Sequence, residues 1–248
     1  MKKTLTLILF ALLAFAQTAW AQNIVSVNYV DETGTTQNVN ATSLDEIAAV
    51  NPNGATIGTS GFTNWYVVQG SNVVMNGQLG YYGGINLILC DGAKLTVNNT
   101  GGNAIQSLDN TDTKYTLTIY VQTNGTGQLV ATATGNKAIQ TEHLTIHGGT
   151  ISATGGAHGI YAPASDIIIN GGVVTASAPS GNAIEGYNVT INGGIVSATG
   201  SGGIKNGMIG TTTLGYTKNT DRIFATPKTQ TESSLLIICS AIQRRVSK

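Results

Sequence analysis

The feature that most constrains the fold of this chain is an eleven-residue segment that occurs three times in close succession. In each copy a Gly-Gly pair separates two short alternating stretches, and the first glycines, Gly148, Gly171 and Gly193, are spaced by 23 and then 22 residues. The copies are residues 144–154, 167–177 and 189–199, and two looser ones are residues 117–132 and 87–97. A period just above twenty residues, without helical periodicity, is typical of a β-solenoid.

The alternation within each copy predicts which side chains face the interior. In the first copy Leu144, Ile146, Ile151 and Ala153 alternate with polar neighbours, as a half-buried strand requires. The equivalent positions of the next two copies are also Leu, Ile, Val or Ala: residues 167, 169, 174, 176, 189, 191, 196 and 198. Coils stacked about 4.8 Å apart would bury these columns together. Because parallel connections of this kind are right-handed, the sequence predicts an all-β, right-handed parallel β-helix with coils of roughly 22 residues.

The corner before each Gly-Gly pair carries outward-facing residues. His147, Asn170 and Asn192 occupy it in the regular copies, and the looser copies align Tyr120 and Cys90 with them. Asparagine side chains repeated at one corner can hydrogen-bond from coil to coil. We therefore expect this column to stabilise the stack.

The segments at the two ends of the repeats form different units. Residues 22–60 predict a β-hairpin, with strands at 24–29 and 37–40, and a short helix after Ser43, where the spacing to Glu46 fits a capping box. Such a cap would cover the open edge of the first coil, which otherwise invites aggregation. The β-helix itself is expected over residues 61–225. Residues 226–248 resemble nothing upstream, and either a terminal cap or a truncated or frameshifted gene would explain them.

The N-terminus predicts export. Lys2 and Lys3 precede an apolar run over residues 5–16, and Ala19 and Ala21 place small residues where signal peptidase cleaves. Residues 1–21 are therefore expected to be a signal peptide cleaved after Ala21, and the protein to be secreted, extracellular or at the cell surface. The apolar run is shorter than the about 20 residues that span a bilayer, so no transmembrane segment is expected.

Composition excludes further classes of function. The 12 basic and 12 acidic residues give no net charge, so nothing indicates a nucleic-acid partner. Charged residues make up only 10% of the chain, which also contains 32 glycines, and this favours a Gly-punctuated all-β protein over a helical bundle. Cys90 and Cys239 could pair in an exported protein or stay separate, but two cysteines are few for a disulfide scaffold.

The carboxylates do not form a catalytic pattern. An enzyme on this scaffold would resemble a pectate lyase or polygalacturonase and would need carboxylates stacked on adjacent coils. Aligning the coils puts Glu142, Asp166 and Glu185 in different columns, with Glu185 in a loop, and gives Lys137 and Lys205 no partner. No catalytic residue is therefore predicted.

No metal site is predicted either. His143 and His147 are four residues apart, but on a strand that spacing separates them by about 13 Å. We expect them to be lone histidines on a polar surface. Asp109 and Asp112 could hold calcium, although an ordinary loop is the simpler interpretation.

Three runs carry a resemblance to a known family. Residues 169–172, 191–200 and 86–93, with their Ile-Asn-Gly-Gly and Leu-Ile-Leu-Cys-Asp-Gly-Ala sequences, resemble bacterial, Bacteroides-type secreted carbohydrate-binding-domain proteins that have right-handed parallel β-helix repeats. The resemblance covers roughly residues 65–225. It implies a non-catalytic, polysaccharide-binding role, with acidic-sugar polymers and calcium in some relatives, and no other cofactor.

Sugar binding would use aromatic faces, because a ring can stack on the C–H face of a pyranose. The candidates are Tyr161, Tyr187, Trp65, Tyr66, Tyr81 and Tyr82. Tyr161 and Tyr187 are expected in coil loops and are the better candidates. The expected partner is a polysaccharide, and the protein would be a monomer or part of a surface assembly. An adhesin or spacer module that binds protein, or nothing by itself, and a pectate-lyase-like enzyme stay open as alternatives.

Overall fold

The computed structural model of the protein describes residues 23–108, 115–206, 212–214 and 222–227, and its side chains through Lys205. In these residues the chain winds into stacked coils of parallel strands, a β-solenoid of about seven turns. The prediction of an all-β parallel β-helix is confirmed. The predicted signal peptide, the Asp109–Asp112 loop, Cys239 and the tail beyond Pro227 lie outside the described residues.

The strands are short where a coil turns sharply and long where they continue around a corner. In chain order the elements are β1 (Ile24–Val30), β2 (Thr36–Ser43), α1 (Leu44–Val50), β3 (Ala55–Val68), β4 (Val73–Met75), β5 (Leu79–Leu89), β6 (Lys94–Asn99), β7 (Ile105–Ser107), β8 (Thr116–Val121), β9 (Gln128–Ala133), β10 (Lys137–Gln140), β11 (His143–Ile146), β12 (Thr150–Gly155), β13 (His158–Ile169), β14 (Val173–Ala178), β15 (Ile184–Ile191), β16 (Ile195–Gly200), β17 (Ile204–Asn206), β18 (Thr212–Leu214) and β19 (Arg222–Pro227).

Each regular coil has three faces. The first face contains β7, β10, β17 and the first parts of β3, β5, β13 and β15, and the second contains the last parts of those long strands with β8, β11 and β18. The third face is a separate sheet in the order β4-β6-β9-β12-β14-β16-β19. All pairings between coils are parallel, so equivalent residues of successive coils lie side by side.

The predicted inward columns form the core. Leu144, Ile167 and Val189 lie in register on the second face and are fully buried. Ala153, Ala176 and Ala198 form an equally buried column on the third face. Burying a Leu, Ile or Val side chain contributes about 1.5–3 kcal/mol, so the stacked columns, and not any single coil, hold the fold together.

The Gly-Gly corner is a steric requirement as well as a turn. The second glycine of each pair, at positions 149, 172 and 194, has a φ of +88°, +85° and +89°, a conformation that side chains resist. A Cβ atom added at Gly172 would lie 2.4 Å from the carbonyl oxygen of Gly149 in the preceding coil. Successive coils therefore approach so closely at this corner that only glycine fits.

The predicted N-terminal cap is also present. β1 and β2 form an antiparallel hairpin, β2 pairs in parallel with β3, and α1 buries Leu44 and Ala48. The predicted capping box is wrong. The Ser43 side chain makes no capping hydrogen bond, and the Glu46 carboxylate accepts a hydrogen bond from the Asn23 side chain, because the hairpin brings that amide to the helix.

The alignment of the earliest coils differs from the prediction by two residues. Ile85 pairs with Leu117, so Ile88, and not Cys90, is the equivalent of Tyr120. A two-residue slip preserves the inward and outward alternation, which is why the sequence pattern fits both alignments. Cys90 lies in the following corner, where burial, with the nearby Asp45 and Asp91 charges, raises the pKa of its thiol to about 11.

Candidate functional site

One outward column of the first face combines several kinds of polar side chain. Gln106, Gln140, Tyr161, Glu185 and Lys205 lie in register on five successive coils. We call this set the polar column. Each member directly follows a residue of the inward isoleucine column, Ile105, Ile139, Ile160, Ile184 or Ile204, and neighbouring strands are about 4.8 Å apart. The polar column is thus a straight stripe across the strands.

At one end of the polar column, hydrogen bonds fix two side-chain amides. Gln106 Oε1 accepts from Gln78 Nε2 at 2.6 Å and from Asn103 Nδ2 at 3.1 Å, and Gln140 Oε1 accepts from Asn103 Nδ2 at 2.8 Å. Asn103 is itself held, because its Oδ1 accepts from the Lys137 backbone N–H at 3.0 Å. Neither Nε2 group of the two glutamines in the polar column bonds to another described residue. Both amides therefore have fixed oxygens, and their N–H donors bond to no other residue that the structure describes.

At the other end, Glu185 lies at the centre of a charged group. Its carboxylate is 3.5 Å from Lys205 Nζ and 3.3 Å from His158 Nδ1, and it accepts a hydrogen bond from Asn182 Nδ2 at 2.8 Å. The contact with His158 lacks hydrogen-bond geometry, so the buried Nδ1 has no hydrogen-bond partner among the described residues. Burial lowers the pKa of His158, and the Glu185 carboxylate opposes this only in part. We therefore take the imidazole to be neutral at pH 7.

Tyr161 lies between the amide end and the charged end. Its ring centroid is 4.6 Å from that of His158, and Lys137 Nζ is 4.8 Å above the ring. Both contacts restrict the phenol ring, which is half-buried on the outside of the first face. The polar column thus contains a partly exposed aromatic ring that has Lys137 over part of one face. Along the column, N–H donors lie on one side of this ring and a carboxylate on the other.

The structure distributes the six aromatic candidates over different surroundings. The expectation that Tyr161 and Tyr187 lie in coil loops is wrong, because both lie in strands. Tyr161 belongs to the polar column, whereas Tyr187 is half-buried in β15 near the corner between the first and second faces. Tyr82 is 40% exposed at the corner beyond Tyr81. Trp65 lies on the second face beneath the hairpin, where it contacts Tyr29.

Tyr66 and Tyr81 are buried, with 4% and 1% of their surfaces exposed. The Tyr66 oxygen accepts a hydrogen bond from the Gly58 N–H at 2.8 Å, and the Tyr81 hydroxyl donates to Thr141 Oγ1 at 2.6 Å. Each polar tip is thus used inside the protein, and neither ring has a face that a polysaccharide could reach. Tyr66 and Tyr81 are therefore excluded as sugar-binding residues.

The charged group around Glu185 is the part of the site that sequence reasoning missed. Glu185 was expected in a loop, but it lies in β15, and Lys205, expected to be unpaired, contacts it. Lys137 contacts the Tyr161 ring. The signal was present in the sequence, because each member of the polar column follows an isoleucine that recurs once per coil.

A second group of outward side chains, on the second face, is aromatic, although Trp65 lies two residues out of register with Tyr120. Tyr29 contacts Trp65 and Tyr120 with centroid distances of 4.7 and 4.8 Å, and Trp65 stacks on Tyr120 at 5.3 Å. The expectation that His147 is a lone histidine is wrong, since its ring stacks on Tyr120. This aromatic ladder holds the N-terminal hairpin against the second face. Tyr120 and His147 are in register with Asn170 and Asn192, whose side chains hydrogen-bond to each other at 2.8 Å as predicted.

Metal-binding and membrane-spanning features are also absent from the part of the chain that the structure describes. No group of three or more His, Cys, Asp or Glu side chains is placed to hold a metal ion. No helix there has the length and apolar character needed to cross a bilayer.

Comparison with known proteins finds no family model, no curated protein and no solved structure that matches this chain. The resemblance to carbohydrate-binding-domain proteins therefore rests on the repeat residues alone. The function has to be argued from the geometry of the polar column.

Proposed function

We propose that this protein is a secreted polysaccharide-binding protein that binds its ligand through the polar column and does not cleave it. The observation that carries the proposal is the position of Tyr161, a fixed ring between two oriented amides and a carboxylate. An aromatic ring can cover the C–H face of a pyranose while neighbouring polar groups bond to its hydroxyls.

The hydrogen bonds within the site support this proposal. Because Asn103 and Gln78 already hold the oxygens of Gln106 and Gln140, the glutamine side chains lose little freedom when a ligand binds. Groups ordered before binding lower the entropic cost of association. A ligand hydroxyl can therefore accept a hydrogen bond from either amide without a rearrangement of the sheet.

The non-catalytic part of the proposal rests on the number of carboxylates. Glycoside hydrolysis generally uses two carboxyl groups on opposite sides of the scissile bond. The polar column contributes one, Glu185, and its contacts with Asn182 and Lys205 suit an acceptor of hydrogen bonds. Asp166 lies at the start of the second-face strand segment, where it accepts from Asn188 Nδ2 at 2.7 Å.

Affinity electrophoresis of the purified secreted protein tests the proposal. Gels would contain soluble glucan, mannan, xylan or pectin, each with calcium and with a chelator. We expect one polymer to retard the protein, and Tyr161→Ala to weaken that binding about tenfold because a stacked aromatic surface is lost. Tyr82→Ala, which removes an exposed tyrosine outside the polar column, is the matched control and should bind like the parent.

The other outcomes decide between the alternatives. No retardation by any polymer would contradict polysaccharide binding and favour a surface adhesin or spacer. Release of new reducing ends from a retained polymer would contradict the non-catalytic role. Retardation only with calcium would show that a metal takes part in binding.

A further inference from the structure

On the basis of the proposed function, we infer that the polar column binds an extended polysaccharide whose chain runs parallel to the solenoid axis, with successive sugars on successive coils. The ligand class is then a linear polymer with a ribbon-like backbone. Single sugars, chain ends and helically coiled polymers do not fit this arrangement.

The register of the strands sets the direction of the chain. The five members of the polar column pair in sequence from β7 through β10, β13 and β15 to β17, and no register shift separates one from the next. Four steps between coils of about 4.8 Å place the outermost members roughly 19 Å apart. The sugars of an extended polymer repeat at nearly the interval between coils, so each ring can contact one member of the column.

The members of the polar column offer different contacts to successive sugars of the polysaccharide. Gln106 and Gln140 offer N–H donors to two neighbouring sugars, and Tyr161 offers a ring to the next. Glu185, whose side chain is 13% exposed, offers an acceptor to the one after it. Lys205, whose side chain is 59% exposed, adds a donor at the far end. Contacts spread over five coils favour a long ligand, because a single sugar can reach only one or two of them.

The two clefts described on the surface lie away from the polar column. A site for a single small molecule or a chain end is generally a concave pocket. Two clefts on the described surface, of about 240 and 260 Å³, are lined around Asp91 and Phe62 respectively. Neither of these two clefts includes a member of the polar column.

The test is the dependence of affinity on ligand length. Isothermal titration calorimetry of the secreted protein would use oligosaccharides from the disaccharide to the octasaccharide, prepared from β-1,4-linked glucan, mannan and xylan and from galacturonan. We expect affinity in one series to rise with each added sugar up to about the pentasaccharide and then to level off. Full affinity at the disaccharide would overturn the inference while the proposed function survived. If no oligosaccharide series binds and no polymer retards the protein in the gels, both the inference and the proposed function are contradicted.

A matched pair of variants tests the axial direction. Gln106→Glu keeps the oxygen that Gln78 and Asn103 bond to but removes the free donor, at a point about 10 Å from Tyr161. It should weaken hexasaccharide binding about threefold to tenfold and leave disaccharide binding unchanged. Gln128→Glu makes the same chemical change at an exposed position of β9 on the third face and should alter neither. Equal effects of Gln106→Glu on both lengths, or no effect on either, would overturn the inference.

Discussion

The imidazole of His147 lies almost parallel to the phenol ring of Tyr120, with the ring centroids 4.7 Å apart and 9° between the planes. Tyr120 also contacts Trp65 and Tyr29, so one tyrosine connects the regular coils to the hairpin. Aromatic pairs of this kind contribute about 0.5–1.5 kcal/mol beyond the area that they bury. The hairpin is thus attached to the second face by rings as well as by strand pairing.

This contact makes stability depend on pH. Burial lowers the pKa of His147 from its ordinary value of 6.5, although Glu32 and Asp31 oppose the shift. The unfolded chain therefore binds a proton more readily than the folded one, and the free energy of unfolding should fall as the pH drops below about 6.5. Urea unfolding of the parent and of His147→Asn between pH 7.5 and 5 measures this, and the variant should lose less stability.

The lowered pKa of His158 acts in the same direction, so His147→Asn should keep part of the pH dependence. Asparagine is a suitable replacement because Asn170 and Asn192 occupy the equivalent position in the next coils. Identical pH profiles for parent and variant would show that His147 does not contribute.

The inward columns predict a large difference between two adjacent isoleucines. Ile169 is fully buried between Ile146 and Ile191, whereas Ile168 is partly exposed on the outside of the same strand. Ile169→Ala should lower the free energy of unfolding by about 2–5 kcal/mol because it leaves a cavity. Ile168→Ala should cost less than about 1 kcal/mol. Urea denaturation followed by circular dichroism compares the two, and equal losses would contradict the assignment of inward and outward sides.

The alanine column predicts that the interior of the third face has no spare room. Ala176 lies between Ala153 and Ala198, and all three are fully buried. Ala176→Leu should lower the free energy of unfolding by about 1–3 kcal/mol or more, because the extra carbons need space that packed neighbours already fill. Thr175→Leu, at the exposed neighbouring position, is the control. A melting temperature lowered equally in both variants would contradict tight packing at the alanines.

The glycine corner allows two effects of one substitution to be separated. Gly34 and Gly172 have nearly the same φ, +81° and +85°, but a Cβ atom at Gly34 would meet no atom within 4 Å. Gly34→Ala should therefore cost about 1 kcal/mol from backbone strain alone. Gly172→Ala adds a collision with the Gly149 carbonyl and should cost more than about 3 kcal/mol. Similar losses in the free energy of unfolding would mean that the coils are not in close contact at this corner.

The regular coils could be predicted from the sequence because their physics is local and periodic. Leu144, Ile146, Ile151 and Ala153 and their equivalents recur with constant spacing, and each is buried as expected. The earliest coils were misaligned because apolar residues at 85, 87 and 89 fit the alternation in two registers. Only the pairing partners, such as Ile85 with Leu117, distinguish them.

The candidate site was predictable in part. Tyr161 was singled out as an aromatic residue of a coil loop, whereas it lies in β13. Its neighbours required the coil register, which places Glu185 beside Lys205 and His158. The aromatic ladder was harder to predict from the sequence, because Tyr29 contacts Trp65 and Tyr120 only after the hairpin folds over the second face. No periodic pattern links a residue of the hairpin to a coil so distant in sequence.

The unbroken register of the third face has a consequence for how such a chain can change over evolutionary time. From β4 to β19 every strand pairs with the next in the same manner. A tandem duplication of the segment between Gly149 and Gly172 would therefore insert one whole coil. The other inward residues would still pair with apolar residues at the equivalent positions of the neighbouring coils. Each duplication would lengthen the solenoid by about 4.8 Å and add one position to the polar column on the first face. The length of the solenoid can thus change by whole coils through replication errors, and no existing coil needs a new sequence.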